Sequence, residues 1–179
     1  MNLLMASKDM AALSVDKMRH GLVVSRTEDV ALVRSVIGHP GVRKFLLDDN
    51  EEVAVPLHPS IYYLSVRQAQ FMDGAVADAL IGVVAFIPVN TITWNPHIGI
   101  LPEHQGCGLG TFAMREAVAW MFANTPCRKV VAYPPAFNGA MVSVFKKCGF
   151  RIEGHSPDSF LWHGKIHDRL LMGIEKGIQ

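Results

Sequence analysis

The residues best suited to chemistry lie in one stretch, Ile98-Gly99-Ile100-Leu101-Pro102-Glu103-His104-Gln105-Gly106-Cys107-Gly108-Leu109-Gly110-Thr111. A run suited to a strand ends near Leu101, a glycine-rich loop follows, and a helical pattern opens at Gly110. Glycines let successive backbone N–H groups turn inward and let a bulky anion approach closely. A helix N-terminus adds partial positive charge at the same place. The combination suits a phosphate or pyrophosphate. The competing reading, a tight turn that merely needs glycines, is weakened by the strand before the loop and the helix after it.

Two phosphate ligands fit poorly. A nucleoside-triphosphate loop ends in Gly-Lys-Ser/Thr, whereas Gly110 is followed directly by Thr111 with no lysine. The run Gly108-Leu109-Gly110-Thr111-Phe112-Ala113 does match a dinucleotide GxGxxA pattern. However, the next strand ends in Tyr133-Pro134 instead of an acidic residue for a ribose, and too little chain follows to complete a doubly wound sheet.

The loop needs elements to hold it, and the pattern supplies them. Leu22 to Val24 suits a short strand, and Thr27 is placed to cap a helix running through Val36 that ends at Gly38-His39-Pro40-Gly41. A second short helix, Val42 to Leu47, leads into the acidic run Asp48-Asp49-Asn50-Glu51-Glu52. Three strands follow, Ile61 to Val66, Ala79 to Ile87 and Thr91 to Leu101, rich in Ile, Val, Tyr and Phe. A helix over Gly110 to Ala123, a strand over Lys129 to Tyr133 and a helix over Asn138 to Cys148 come next, with Gly149 at the left-handed position past the helix end. The tail reads as a hairpin in which Phe160 to Trp162 and Ile166 to Ile174 flank the turn His163-Gly164-Lys165. The order β-α-α-β-β-β-α-β-α-β-β describes a mixed α+β sheet with helices on its faces.

Composition bounds the rest. A chain of 179 residues, 50% hydrophobic and 18% charged, can bury a sizeable core in one domain. We expect that domain over residues 21–179, preceded over residues 1–20 by a weakly helical N-terminal arm or a frayed tail. The net charge of +1 argues against nucleic acid as a partner. The longest apolar stretch, Ala79 to Val89, contains Gly82 and Pro88 and is too short to cross a membrane, so no membrane partner is expected. The N-terminus lacks the basic start and apolar block of a signal peptide. Cys107, Cys127 and Cys148 are odd in number and show no CxxC spacing, which suggests a reducing, cytoplasmic setting with neither zinc nor a disulfide framework.

The loop resembles the Q/R-x-x-G-x-G/A signature of the GNAT superfamily of acyl-CoA-dependent N-acyltransferases. Gln105, Gly108 and Gly110 fill its three defined positions. The run from Asn138 through Phe145 to Gly149-Phe150 is similar to the second family pattern, Asn…Tyr-x-x-x-Gly-Phe, in the right order and spacing. The tail, with Gly164 and Asp168, loosely resembles the branch that acetylates ribosomal-protein N-termini.

The resemblance implies a mostly antiparallel sheet with a central parallel pair that splays apart, here Thr91–Leu101 and Lys129–Tyr133. It implies acetyl-CoA as cosubstrate and no metal. The backbone at Ile98 and Ile100 would pair with the pantetheine arm like an added strand. Amides of Gly106, Cys107, Gly108, Leu109, Gly110 and Thr111 would hold the pyrophosphate, with Gln105 as a further cosubstrate-binding residue and Asn138 and Phe145 facing the cosubstrate. An amine of a small molecule, a peptide or a protein N-terminus would attack the thioester in a ternary complex, and a backbone N–H near Ile98 would stabilise the oxyanion. His97, near a presumed strand bulge, is the candidate base. The family tyrosine that protonates the departing thiolate is replaced by Phe145, so Tyr133 is the candidate acid. That replacement also admits a non-catalytic CoA-binding module, and association into a homodimer is left open.

Other groups carry less chemistry. His155, His163 and His167 invite a metal reading, but residues four apart on an extended strand stand about 13 Å from each other, too far to share one ion. Lys146-Lys147 could meet the 3′-phosphate of CoA or simply be a helix-surface pair. The acidic run from Asp48 to Glu52 could favour a cationic amine or be a solvated loop.

Overall fold

The computed structural model describes residues 21–43, 60–72 and 75–177. The expected N-terminal arm, the end of the second helix and the acidic run Asp48 to Glu52 lie outside the described residues. Strands are β1 (Leu22–Arg26), β2 (Tyr62–Met72), β3 (Ala75–Pro88), β4 (Thr93–Ile100), β5 (Lys129–Ala132), β6 (Arg151–Trp162) and β7 (Lys165–Glu175). Helices are α1 (Val30–Ile37), α2 (Pro40–Arg43), α3 (Leu109–Asn124) and α4 (Gly139–Lys147), with a 3-10 turn at Pro102–His104. The expected order of elements is the observed one. Among the described residues the seven strands form one sheet in the order β1-β2-β3-β4-β5-β7-β6, antiparallel everywhere except between β4 and β5.

The two faces of the sheet bury different helices, as alternation along a strand requires. Leu64 and Val66 of β2, with Val84 and Phe86 of β3, pack under Phe112, Ala113, Met114, Ala117 and Met121 of α3. Tyr63, Val83 and Ala85 face the other way and meet Val33 and Val36 of α1. The larger core also takes Val130 of β5, Phe145 of α4 and Met172 of β7, so it runs beneath both halves of the sheet.

Two glycines let β4 sit where it does. A Cβ on Gly82 would lie 2.2 Å from the Gly99 carbonyl oxygen of the adjacent strand. A Cβ on Gly99 would lie 2.6 Å from Val42 of α2 and 3.3 Å from Val36 of α1. Close packing of α1 and α2 on β4 therefore depends on a bare backbone at Gly99.

Helix starts differ from expectation: α2 begins at Pro40 instead of Val42, α3 at Leu109 instead of Gly110, and the cap of α1 is a different residue. Asp29, not Thr27, caps α1, its carboxylate accepting from Leu32 N at 3.0 Å. Thr27 accepts from Asp29 N at 3.2 Å and so shapes the approach to the cap. Both residue types cap well; Asp29 wins because its oxygen reaches the third amide of the helix. Asn138 caps α4 as expected, accepting from Met141 N at 3.1 Å, and Gly149 follows that helix with φ +91°. The hairpin turn has φ +50° at His163 and +70° at Gly164, the double left-handed geometry of a tight two-residue turn.

Candidate active site

The parallel seam between β4 and β5 is short. Thr93 pairs with Lys129 and Trp94 with Val130, and there the ladder ends although both strands continue. Alternation explains why. The Thr93 carbonyl accepts from Val89 N, and Leu101 N donates to the Ile81 carbonyl, both at 2.9 Å. Odd-numbered residues of β4 thus bond toward β3, and even-numbered ones present their N–H and C=O toward β5. Pro96 is the next even position after Trp94, and it has no N–H to give. The ladder opens at that residue. The register of β4 against β3 is continuous from Ile100 to Trp94, so the bulge presumed near His97 is not there; a proline does its work instead.

Beyond Pro96, the N–H and C=O groups of Ile98 and Ile100 point into the open wedge, where no strand pairs with them. The Ile100 carbonyl is met by the Gln105 side chain, whose Nε2 donates to it at 2.7 Å. Gln105 emerges from the 3-10 turn, its own N–H donating to the Pro102 carbonyl at 3.2 Å. Immediately after it comes the loop. Gly106 and Gly108 adopt φ +79° and +87°, and a Cβ on either would meet nothing within 4 Å. Among the described residues, the amides of residues 106 to 110 make no hydrogen bond, whereas Thr111 N and Phe112 N both donate back to the Gly108 carbonyl. Five successive N–H groups at the start of a sixteen-residue helix form a cradle for an anion. Thr111, expected to contribute its amide, spends it on the first helical turn.

The surroundings are tied to this cradle. The Cys148 thiol donates to the Thr111 carbonyl at 3.3 Å, and Arg115 Nη2 donates to the Lys147 carbonyl at 3.4 Å. The end of α4, carrying exposed Lys146 and Lys147, is thereby held against the first two turns of α3. Burial pushes the Cys148 thiol up to about 11, so it stays protonated and remains a donor at neutral pH. Cys107, exposed in the loop, donates its S–H to the His104 carbonyl at 3.1 Å.

A strand edge left open beside a five-amide anion cradle is what an extended, amide-bearing, phosphate-terminated molecule requires. The family model for the acetyltransferase (GNAT) domain matches residues 24–151. The chain belongs to the GNAT acetyltransferase family. A spermidine N(1)-acetyltransferase of Vibrio cholerae is 31% identical over 91 residues, covering 50% of this chain and 53% of that protein. The chain thus spans about half the length of that relative. The spermidine N(1)-acetyltransferase of Escherichia coli K12 is 24% identical over 155 residues, 82% of this chain and 81% of its own. The solved structure of V. cholerae spermidine N-acetyltransferase in complex with CoA and spermine superposes with a TM-score of 0.73 at 23% identity, over 87% of this chain and 95% of that one. That likeness is one of fold. The expectation of a GNAT superfamily member, with one parallel strand pair in a mostly antiparallel sheet, is met.

The GNAT frame sorts the expected site residues by position. Ile98, Ile100, Gln105 and the amides of Gly106, Cys107, Gly108, Leu109 and Gly110 lie along one continuous edge. His97 lies on the opposite face of β4, with Asn95 and Gly99, toward α1 and α2. The Asn95 side-chain nitrogen lies 3.2 Å from His97 Nε2. Asn138 spends its side-chain oxygen on the cap of α4, leaving its amide nitrogen to meet a ligand. Phe145 is only 4% exposed and packs on Phe150 with ring centroids 4.9 Å apart. Tyr133 directly follows β5 and is 40% exposed. The segment after it is fixed to β7, where Leu170 N donates to the Pro134 carbonyl and Ala136 N to that of Asp168.

The sequence reading missed Pro96 as the wedge and Gln105 as a latch on the strand. A proline inside a strand pattern was the available signal. It also missed a pair on the hairpin: His155 Nε2 lies 2.8 Å from Asp168 Oδ2, and Asp158 N donates to Asp168 Oδ1 at 3.1 Å. The Asp158 amide, then His155, hold the Asp168 carboxyl below its ordinary value. Among the described residues no three His, Cys, Asp or Glu side chains gather as a metal site, and no helix is long and apolar enough to cross a membrane.

Proposed function

We propose that the protein transfers an acetyl group from acetyl-CoA to a primary amine of a polyamine of the spermidine class, by direct attack in a ternary complex. The observation that carries the cosubstrate is the open β4 edge running into the five-amide cradle. The acceptor rests on the spermidine N(1)-acetyltransferases to which the chain is similar. A polyamine is a polycation, and the acidic run Asp48 to Glu52 supplies matching charge in the sequence.

Chemically, the amine nitrogen attacks the thioester carbon, the carbonyl oxygen becomes an oxyanion, the carbon–sulfur bond breaks and the nitrogen loses a proton. The Ile98 N–H, directed into the wedge, is the donor for the oxyanion. His97 takes the proton from the amine on a ring nitrogen, and Asn95, 3.2 Å from Nε2, holds the ring in place. The thiolate is a good leaving group and departs without help from Phe145; Tyr133 is the side chain offered for its proton.

Thiol release with acetyl-CoA across spermidine, spermine, short peptides and aminoglycosides tests the reading, with polyamines expected to give the highest kcat/KM. Replacing Asp48, Asp49, Glu51 and Glu52 by Asn or Gln should raise KM for the polyamine and leave that for acetyl-CoA unchanged. Binding of CoA without turnover of any amine would identify a non-catalytic CoA-binding module, the reading that Phe145 favours.

Phe145→Tyr probes the missing acid. General acids contribute about 10²–10⁴-fold where they act. The variant is expected to raise kcat where single-turnover rates show chemistry to be limiting, with CoA affinity unchanged. A flat kcat there would assign the proton elsewhere. A large fall in Tyr133→Phe would then place it on Tyr133.

A further inference from the structure

Gln105 does more than begin a glycine-rich loop. Its side chain turns back five residues to donate from Nε2 to the Ile100 carbonyl at 2.7 Å. It springs from a short, well-tied turn, in which His104 N donates to the Leu101 carbonyl and Gln105 N to that of Pro102. The bond falls on the even-numbered side of β4, the side that faces the open wedge.

We infer that Gln105 is a positioning residue that fixes the register of the cosubstrate arm along β4 by occupying the last free acceptor of the strand edge. The inference rests on the acyl-CoA reading above. An arm that pairs as an added strand can satisfy its amides at Ile98 or, shifted by two residues, at Ile100, because a strand edge repeats every second residue, about 6.6–6.8 Å. Such a shift carries the thioester away from the Ile98 N–H and from the amine. Pro96 ends the usable edge on one side, since it has no N–H. Gln105 ends it on the other. Between them one set of partners is left, the Ile98 N–H for the thioester carbonyl and the Ile98 C=O with the Ile100 N–H for the amides of the arm. The same residue starts the cradle, because Gly106 follows it directly, so one side chain couples the place where phosphates are held to the place where the thioester lies.

A register role has a kinetic signature that loop stiffening lacks. When a substrate also binds in an unproductive register, kcat and KM fall by the same factor and kcat/KM is preserved. When a loop merely loosens, KM and Kd rise, kcat at saturation is kept and kcat/KM falls. Gln105→Leu removes the donor at nearly constant size, and Gln105→Arg restores an N–H donor. The leucine variant is expected to lose about three- to tenfold in kcat, the weight of one neutral hydrogen bond in a choice between two registers. Its KM for acetyl-CoA should fall in parallel, and CoA should bind no more weakly by calorimetry. The arginine variant should return both constants toward the parent values. A raised KM and Kd with kcat intact in Gln105→Leu, or no change in any constant, would overturn the assignment. Failure of the parent protein to bind CoA at all would instead remove the acyl-CoA reading. Thermal melts of both variants identify a change that is only one of folding, which would also move Gln105→Leu without rescue by arginine and count against the register role.

Discussion

Gly108→Val is expected to weaken CoA binding at least about 100-fold while the protein still folds. Gly108 holds φ +87° and ψ −7° as the residue before α3, a conformation that costs an L residue about 1–2 kcal/mol and a β-branched one more. Valine there either pulls the loop into another conformation, turning the amides of residues 106 to 110 away from a common centre, or stands in the space the anion would fill. Nothing in the fold opposes the side chain itself, since a Cβ at this point meets no atom within 4 Å. The defect should therefore appear chiefly in binding, with stability lowered only by the backbone strain. Gly110→Val is a useful contrast. Its backbone is ordinary helix and its Cβ would touch Ile100 at 3.7 Å, a normal contact, so it can act only by crowding the anion and should cost less. Calorimetry with CoA reads both. An unchanged affinity in Gly108→Val would take the loop out of the site.

Gly82→Ala should have the largest effect on stability. The new Cβ would lie 2.2 Å from the Gly99 carbonyl oxygen and 3.1 Å from Ile100 Cα, backbone atoms of the neighbouring strand that cannot turn aside. Separating β3 from β4 to admit it disturbs the ladder and the packing of Val36 and Val42 on Gly99 together. We expect a loss of about 3 kcal/mol or more, at the upper end of overpacking effects. For a chain of this size that lowers Tm by roughly 6–12 °C. Gly173→Ala is the control. There the Cβ would meet the Glu153 carboxylate, the mobile end of a side chain that can swing away at the cost of its 2.9 Å ion pair with Lys129. Its Tm should move far less. Equal shifts in the two variants would mean that strand separation is not what limits Gly82.

How far the sequence could be read follows from where the determinants lie. Element order, the anion loop, the Asn138 cap and the Gly149 helix stop were legible because each depends on residues close in the chain. The face of each strand was legible because alternation is local as well. The length of β6 was not. Most of its first eight residues are exposed and polar, with no alternation to betray a strand, and its pairing with β7 is carried by backbone bonds through two register shifts, one of them around Asp158 at φ +50°. The capping competition between Thr27 and Asp29 turned on where the helix begins, at Val30 directly after Asp29, which the local pattern left open by two residues. The wedge was half legible: the glycines announced an anion, but the parity that turns Ile98 and Ile100 toward it required the register of β4 against β3. Phe145 was found as a departure from the family tyrosine, while its burial against Phe150 came only from tertiary packing.

The brevity of the β4–β5 seam has a mechanical meaning. Two long antiparallel ribbons, β1 to β4 and β5-β7-β6, are sewn to each other by two ladder pairs, Thr93 with Lys129 and Trp94 with Val130, and by the Ile92 carbonyl just ahead of them, which accepts from Arg128 N and Lys129 N. What unites them is mainly the common layer of side chains under α3 and α4, which tolerates small tilts because dispersion contacts are many and individually weak. Tilting one ribbon against the other widens or narrows the wedge at Ile98 without breaking a ladder. The molecule therefore carries its compliance at the cleft and its rigidity in the two ribbons, so that a guest arm lying against β4 would act as a spline that locks the joint.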